Sequence, residues 1–103
     1  MQTTKVIKIE ISKIKKAAQI LRAIDHKKRS HVLDYVNNNP GVTVTECYIK
    51  FRCEQSEMSQ YLGTLRHAGF LISEREGKNI RYYVSDSAFK IIEAVNKFAV
   101  KNP

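Results

Sequence analysis

No stretch of this 103-residue chain stays apolar for the ~20 residues a membrane-spanning helix needs, because Lys, Glu or Asn interrupts every candidate. The opening residues, MQTTKVIKIEIS, contain no apolar signal core and no small-residue cleavage site, so a cytoplasmic protein with no membrane partner is expected. Cysteine is scarce: Cys47 and Cys53 do not make a disulfide framework, and reduced thiols are the default for such a chain. Internal repeats, low-complexity linkers and Gly-rich phosphate loops are absent as well. Asp34, Glu46 and Ser56 stand isolated on helices, with no nucleophile, base and orienting group in one pattern and no paired carboxylates. No enzyme and no cofactor are expected.

Acids are also few. The chain carries 18 Lys and Arg against 10 Asp and Glu, a net charge of +8. An excess of that size on a small domain points to a polyanionic partner, nucleic acid before a membrane surface. The excess is uneven: residues 1–31 hold nine basic and two acidic residues, or +7, whereas residues 32–103 hold nine and eight, or +1. Basic residues in the second segment must therefore act by placement rather than by bulk charge.

Length allows one domain over residues 1–103, and 43% apolar residues suffice for one modest core. Residues 5–11 (KVIKIEI) alternate like a strand, after which Ser12 would cap a helix with Ile14, Ala17, Ala18, Leu21 and Ile24 on one face. The same residues also fit a helix that starts earlier, through Ile7, Ile11, Ile14, Ala18 and Leu21. Both readings of the N-terminal segment, 1–24, stand at this point.

Asp25 is the expected cap of a second helix to about Asn38, with Val32, Leu33, Tyr35 and Val36 as its apolar members. NNNPG (37–41) stops it, since Pro40 removes a backbone donor and Gly41 permits a turn. A short extended piece follows, then a helix over roughly 46–52 capped by Thr45. EQSEMSQYLGTLRHAGFL (54–71) gives the next helix, 54–68, closed by Gly69. FLISEREGKNIRYYV (70–84) alternates as two strands around Glu76-Gly77-Lys78-Asn79. Residues 86–100 form a last helix with Ala88, Ile91, Ile92, Val95, Phe98 and Ala99 on one side. The predicted fold is mainly α with a small β-hairpin wing: a winged helix-turn-helix, the helix-turn-helix over 45–68 and the wing over 70–84.

Met58, Leu62 and Leu65 bury one face of helix 54–68, leaving Gln55, Ser56, Ser59, Gln60, Gly63 and Thr64 on the other. Amide and hydroxyl side chains match base edges in the major groove, and the residues nearest the helix N-terminus enter deepest. Gln55, Ser56, Ser59 and Gln60 are thus the expected base readers, with Thr64 beside them. Gly63 costs the helix ~1 kcal/mol against Ala, which close backbone approach to a phosphate would offset. Arg75, Lys78, Asn79 and Arg81 sit in the hairpin as a phosphate or minor-groove clamp, diluted by Glu74 and Glu76.

ILRAIDHKKRSHVLDYV (20–36), VTVTECYIKF (42–51), SQYLGTLRHAGFL (59–71) and REGKNIRYYV (75–84) resemble the arsenic-repressor (ArsR) family of winged-helix transcriptional repressors. The likeness covers roughly 16–92; Leu-x-x-Leu-Arg-x-Ala-Gly and the Arg-x-Gly-Lys wing are its most specific parts. It implies a homodimer built by the first and last helices that represses transcription from double-stranded operator DNA and departs on binding an inducer. The implied dimer surface carries Ile14, Leu21, Ile91, Ile92, Val95 and Phe98, and the last four make a stripe too apolar for an exposed helix of a monomer.

The chain departs from the family pattern in places. Gln60 stands where many members have Arg, Tyr61 where they often have His, Arg52 where the turn usually has Gly, and Glu54 where a capping Ser is usual. The family's metal-binding Cys-x-Cys falls on Thr43 and Thr45, and residues 85–103 contain no His, so no metal site is expected. Cys47 and Cys53 occupy positions usually held by leucine and read as small core residues. His26, His31 and His67 are too scattered to form a ligand set. Two alternatives to a repressor of this type remain at this level: a winged-helix module that binds protein, and a thiol-responsive repressor using Cys47 and Cys53.

Overall fold

Aliphatic residues at helical spacing, Val32, Leu33 and Val36 in one segment and Met58, Leu62 and Leu65 in another, meet Phe70 and Leu71 in a single buried cluster. The computed structural model describes residues 11–101, with side chains as far as Lys97. Around the cluster run α1 (Ile11–Ile24), α2 (Lys27–Asn38), β1 (Val42–Thr43), α3 (Val44–Phe51), α4 (Gln55–His67), β2 (Leu71–Glu76), β3 (Asn79–Val84) and α5 (Ala88–Lys101). The strands form one antiparallel sheet in the order β1-β3-β2. The winged helix-turn-helix expected from the pattern is the fold observed.

The extended piece before α3 is a third strand: Val42 pairs with Tyr82 and Thr43 with Arg81. In the wing, Leu71 pairs with Val84 and Glu76 with Asn79, leaving Gly77-Lys78 as the two-residue turn. Gly77 has φ 63, and only the first of the two turn residues is left-handed, the arrangement that matches strand twist in a tight hairpin.

Several predicted boundaries move. Residues 5–10 lie outside the described residues, and Ile11 is already helical, so Ser12 is inside α1 rather than its cap. Ile20, Ala23 and Ile24 turn toward the core, whereas Ile11, Ile14 and Leu21 are exposed. α1 touches the core through Ile20, Ala23 and Ile24 near its end, which leaves Ile11 and Ile14 bare at its start and Leu21 on its outer side. His26, not Asp25, caps α2: its Nδ1 accepts from the Arg29 amide at 3.4 Å. The last carbonyls of α1 are satisfied from α2. Arg29 Nε and Nη2 donate to Ala23 and Arg22 at 2.9 and 2.6 Å, and Ser30 Oγ to Ile24 at 2.7 Å.

Thr43 rather than Thr45 caps α3. Its Oγ1 accepts from the Glu46 amide at 3.2 Å while Glu46 Oε1 accepts from the Thr43 amide at 2.9 Å, a reciprocal capping box. Those bonds to Thr43 hold the Glu46 carboxyl below the usual carboxylate range. A carboxyl lowered in the folded state stabilises above its unfolded value, and that contribution is lost as pH falls through the lowered one. Thr43→Ala is expected to cost about 1 kcal/mol in thermal melts at neutral pH. Glu46→Gln should flatten the acid limb of the stability profile. A Thr43→Ala melt indistinguishable from the parent would remove the cap from the account of α3.

Candidate nucleic-acid interface

The 3.6-residue period of α4 separates two chemistries. Met58, Leu62 and Leu65 are fully buried, and Gln55, Ser56, Ser59 and Gln60 are exposed on the other side. None of those four side chains makes a hydrogen bond to another described residue, so all present unspent donors and acceptors to solvent. Thr64 is half-buried at the far end of the same face. A Cβ built on Gly63 meets no atom beyond its own helix backbone within 4 Å, so packing inside the protein does not require glycine there.

The turn that aims α4 keeps the geometry of a glycine turn without the glycine. Arg52 is left-handed, φ 53 and ψ 49, at the C-cap of α3. A side chain there costs about 1–2 kcal/mol. Two bonds offset it, from the Arg52 amide to Ile49 at 3.3 Å and from the Cys53 amide to Tyr48 at 3.2 Å. Glu54 takes the N-cap position of α4 but its side chain caps nothing.

Sequence reading missed a polar cluster that fastens α4 to α2 beside the reading face. The Tyr61 hydroxyl donates to Glu57 Oε2, and Lys28 Nζ lies 3.5 Å from the same carboxylate oxygen. The His26 ring packs 5.3 Å from the Tyr61 ring. The Tyr61 hydrogen bond, then Lys28, lowers the Glu57 carboxyl, and the same bond raises the tyrosine. With Lys28 close by, the negative charge of Glu57 is partly neutralised before any phosphate approaches.

The wing separates into free and engaged cations. Arg75, Lys78 and Asn79 are exposed, with no side-chain partner among the described residues. Arg81 is engaged: Nε sits 3.0 Å from Glu76 Oε1 and Nη1 donates to the Gly41 carbonyl at 2.9 Å. It ties the wing to the turn before β1 and cancels Glu76, leaving Glu74 as the wing's acid without an ion pair among the described residues.

The predicted dimer surface is only partly free. Ile14 and Leu21 are about half exposed on α1, at 54% and 51%. Ile91 and Ile92 instead pack partly on the chain's own core, Val95 is half-buried, and the Phe98 side chain lies outside those described. Among the described side chains, the exposed aromatic of α5 is Phe89, which sequence reading overlooked because it falls one position outside the predicted stripe.

Cys47 is fully buried, and burial pushes its thiol up to about 11; burial also raises Cys53, which is half-exposed between α3 and α4. A raised thiol supplies little thiolate at neutral pH. An alkylating reagent is therefore expected to label Cys53 slowly and Cys47 only on unfolding. Rapid labelling of both in the native state would move the pair from the core to a redox role. Thr43 is held in the α3 capping box, Thr45 is exposed, and no three His, Cys, Asp or Glu side chains gather as metal ligands among the described residues. His67 Nδ1 donates to the Gly63 carbonyl at 2.8 Å, and His31 is exposed on α2.

No protein-family model matches the chain. It is 31% identical over 81 residues to the HTH-type transcriptional regulator YgaV of Escherichia coli K12, covering 79% of this chain and 82% of that one. Among solved structures, NolR of Sinorhizobium fredii superposes with a TM-score of 0.72 at 27% identity, covering 93% of this chain and 96% of that one. The homodimeric winged helix-turn-helix DNA-binding domain Mb0332 of Mycobacterium bovis has a TM-score of 0.76 at 16% identity over 97% and 93% of the two chains, a likeness of fold. With a bare polar face on α4, a basic wing tip and these relatives, the chain belongs to the HTH-type transcriptional regulators, proteins that bind DNA, and its winged helix-turn-helix fold is that of solved ArsR-family structures.

Proposed function

We propose that the protein is a cytoplasmic, homodimeric, sequence-specific repressor with no catalytic activity of its own. Gln55, Ser56, Ser59 and Gln60, with Thr64 at the margin, read base edges, and Arg75, Lys78 and Asn79 hold the backbone. The observation that carries this reading is the polar set of α4, exposed and without partners among the described residues, on a helix whose other face is fully buried. Arg81 serves the clamp indirectly, by fixing the wing against the turn at Gly41. Dimerisation through α1 and α5 is supported by the exposed Ile11, Ile14 and Leu21 and by the homodimeric state of Mb0332.

Selecting fragments of the source genome with purified protein tests the reading directly. The expected product is an imperfect palindrome with half-sites one helical turn apart, about 34 Å, bound by a dimer in light scattering. Fragments no more enriched than random DNA, or a stable monomer at micromolar concentration, would overturn it. With Thr43 and Thr45 at the usual ligand positions, zinc, cadmium and arsenite are expected to leave the complex intact. Tight stoichiometric zinc binding, lost on changing any of the named residues, would show a metal site.

A further inference from the structure

Between α2 and α5 lies a groove of about 400 Å³ that neither the reading face nor the wing uses. Leu33, Val84, Phe89 and Ile92 supply its apolar walls, and Asp34 and Asn37 line its edge. Phe89 is 58% exposed. Asp34 is the one acidic or basic residue in the lining; its carboxylate accepts only a long bond from Asn38 Nδ2, 3.5 Å, and has no ion pair among the described residues. An unpaired carboxylate beside an apolar groove is conspicuous in a chain of net charge +8.

We propose that this groove binds a small lipophilic cation, its apolar body against the walls and its positive centre facing Asp34. The volume falls in the range of small-molecule sites, roughly 300–1,000 Å³, which are mostly apolar with a few polar groups to fix orientation. The open face of the Phe89 ring adds attraction for a cation. A neutral ligand would gain no charge attraction from Asp34, and an anion would be repelled by it. The groove spans the end of α1, the flank of α2 and the start of α5, so its occupant sets α5 against α2. Because α2 packs on α4, that placement sets the spacing of two reading helices, a consequence that rests on the dimeric repressor reading.

Calorimetric titration of the full chain without DNA tests the site, with tetraphenylphosphonium as probe and tetraphenylborate as its twin of opposite charge. The phosphonium should saturate one site per chain at about micromolar concentration. The borate should bind that site at least about tenfold more weakly, although net charge favours the anion everywhere else. Asp34→Asn and Phe89→Ala should each weaken the phosphonium about tenfold and Asp34→Glu should keep it, all three melting like the parent. Borate bound as tightly, or Asp34→Asn without effect, would overturn the proposal. So would a dimer that binds no phosphonium but falls to monomer on Phe89→Ala, which would assign the groove to the second copy. Operator affinity is measured separately: a shift with phosphonium in the parent but not in Asp34→Asn supports the regulatory consequence. Binding with no shift removes that consequence and leaves the site. A chain that binds phosphonium but no operator fails the repressor reading alone.

Discussion

Leu62→Ala is expected to lower the unfolding free energy by about 2–5 kcal/mol, at the upper end if the cavity does not collapse. Leu62 is fully buried in the middle of α4, between Met58 and Leu65, and belongs to the cluster that includes Phe70 and Leu71. A domain of this size has roughly 5–15 kcal/mol in total, so the loss takes a large share and should shift the melting temperature by ~4–8 °C per kcal/mol. Urea unfolding at fixed protein concentration measures it as a lower midpoint with unchanged slope. Ile49→Ala is the control, since Ile49 is 64% exposed on α3 and its loss should stay within about 0.5 kcal/mol. Leu62 also anchors the reading face, so DNA affinity should fall further than the unfolded fraction accounts for. A loss below ~1 kcal/mol for Leu62→Ala would mean that α4 is not held by this cluster.

The parts of the fold that sequence made legible are those with a period. Met58, Leu62 and Leu65 specify α4, the alternation of 70–84 specifies the hairpin, and Gly69 at φ 93 ends the helix as its position predicts. Caps were harder: at the start of α3, Thr43 and Thr45 compete. The capping-box spacing Thr43-x-x-Glu46 was present and could have decided against Thr45. Nothing local favoured His26 over Asp25, since histidine is not among the preferred N-caps. β1 is two residues long and exists by pairing with β3, some forty residues later, so no pattern in 42–43 announces it.

The candidate site divides in the same way. The exposed set on α4 follows from helical period alone. Which cations are free does not: Arg81 looks like Arg75 in sequence, and only the fold places its guanidinium between Glu76 and the Gly41 carbonyl. Likewise Lys28 and Glu57 are 29 residues apart and meet only once α2 packs beside α4.

In a two-fold dimer each substitution is made twice, which gives the reading face and the wing the largest expected effects on binding. Gln55→Ala or Gln60→Ala removes a base-edge contact and should cost about 1–3 kcal/mol per half-site on the cognate operator, with little change on random DNA. Both side chains are exposed and without partners among the described residues, so neither change should move the melting temperature. Arg75→Ala or Lys78→Ala removes a phosphate contact. Each should weaken cognate and random DNA alike and make the slope of log affinity against log salt shallower by about 0.9 per contact, doubled in the dimer. Arg81→Ala should behave differently from both, because its guanidinium is held by Glu76 and Gly41. It should cost about 1–2 kcal/mol of stability through the lost charged hydrogen bonds, and weaken DNA through a displaced wing. Fluorescence anisotropy across a salt series, read beside thermal melts, separates the three classes. If the glutamine changes leave specific affinity untouched while Arg75→Ala or Lys78→Ala alters the preferred sequence, reader and clamp are reversed. If Arg81→Ala instead melts like the parent and flattens the salt slope, its guanidinium leaves Glu76 for a phosphate when DNA binds.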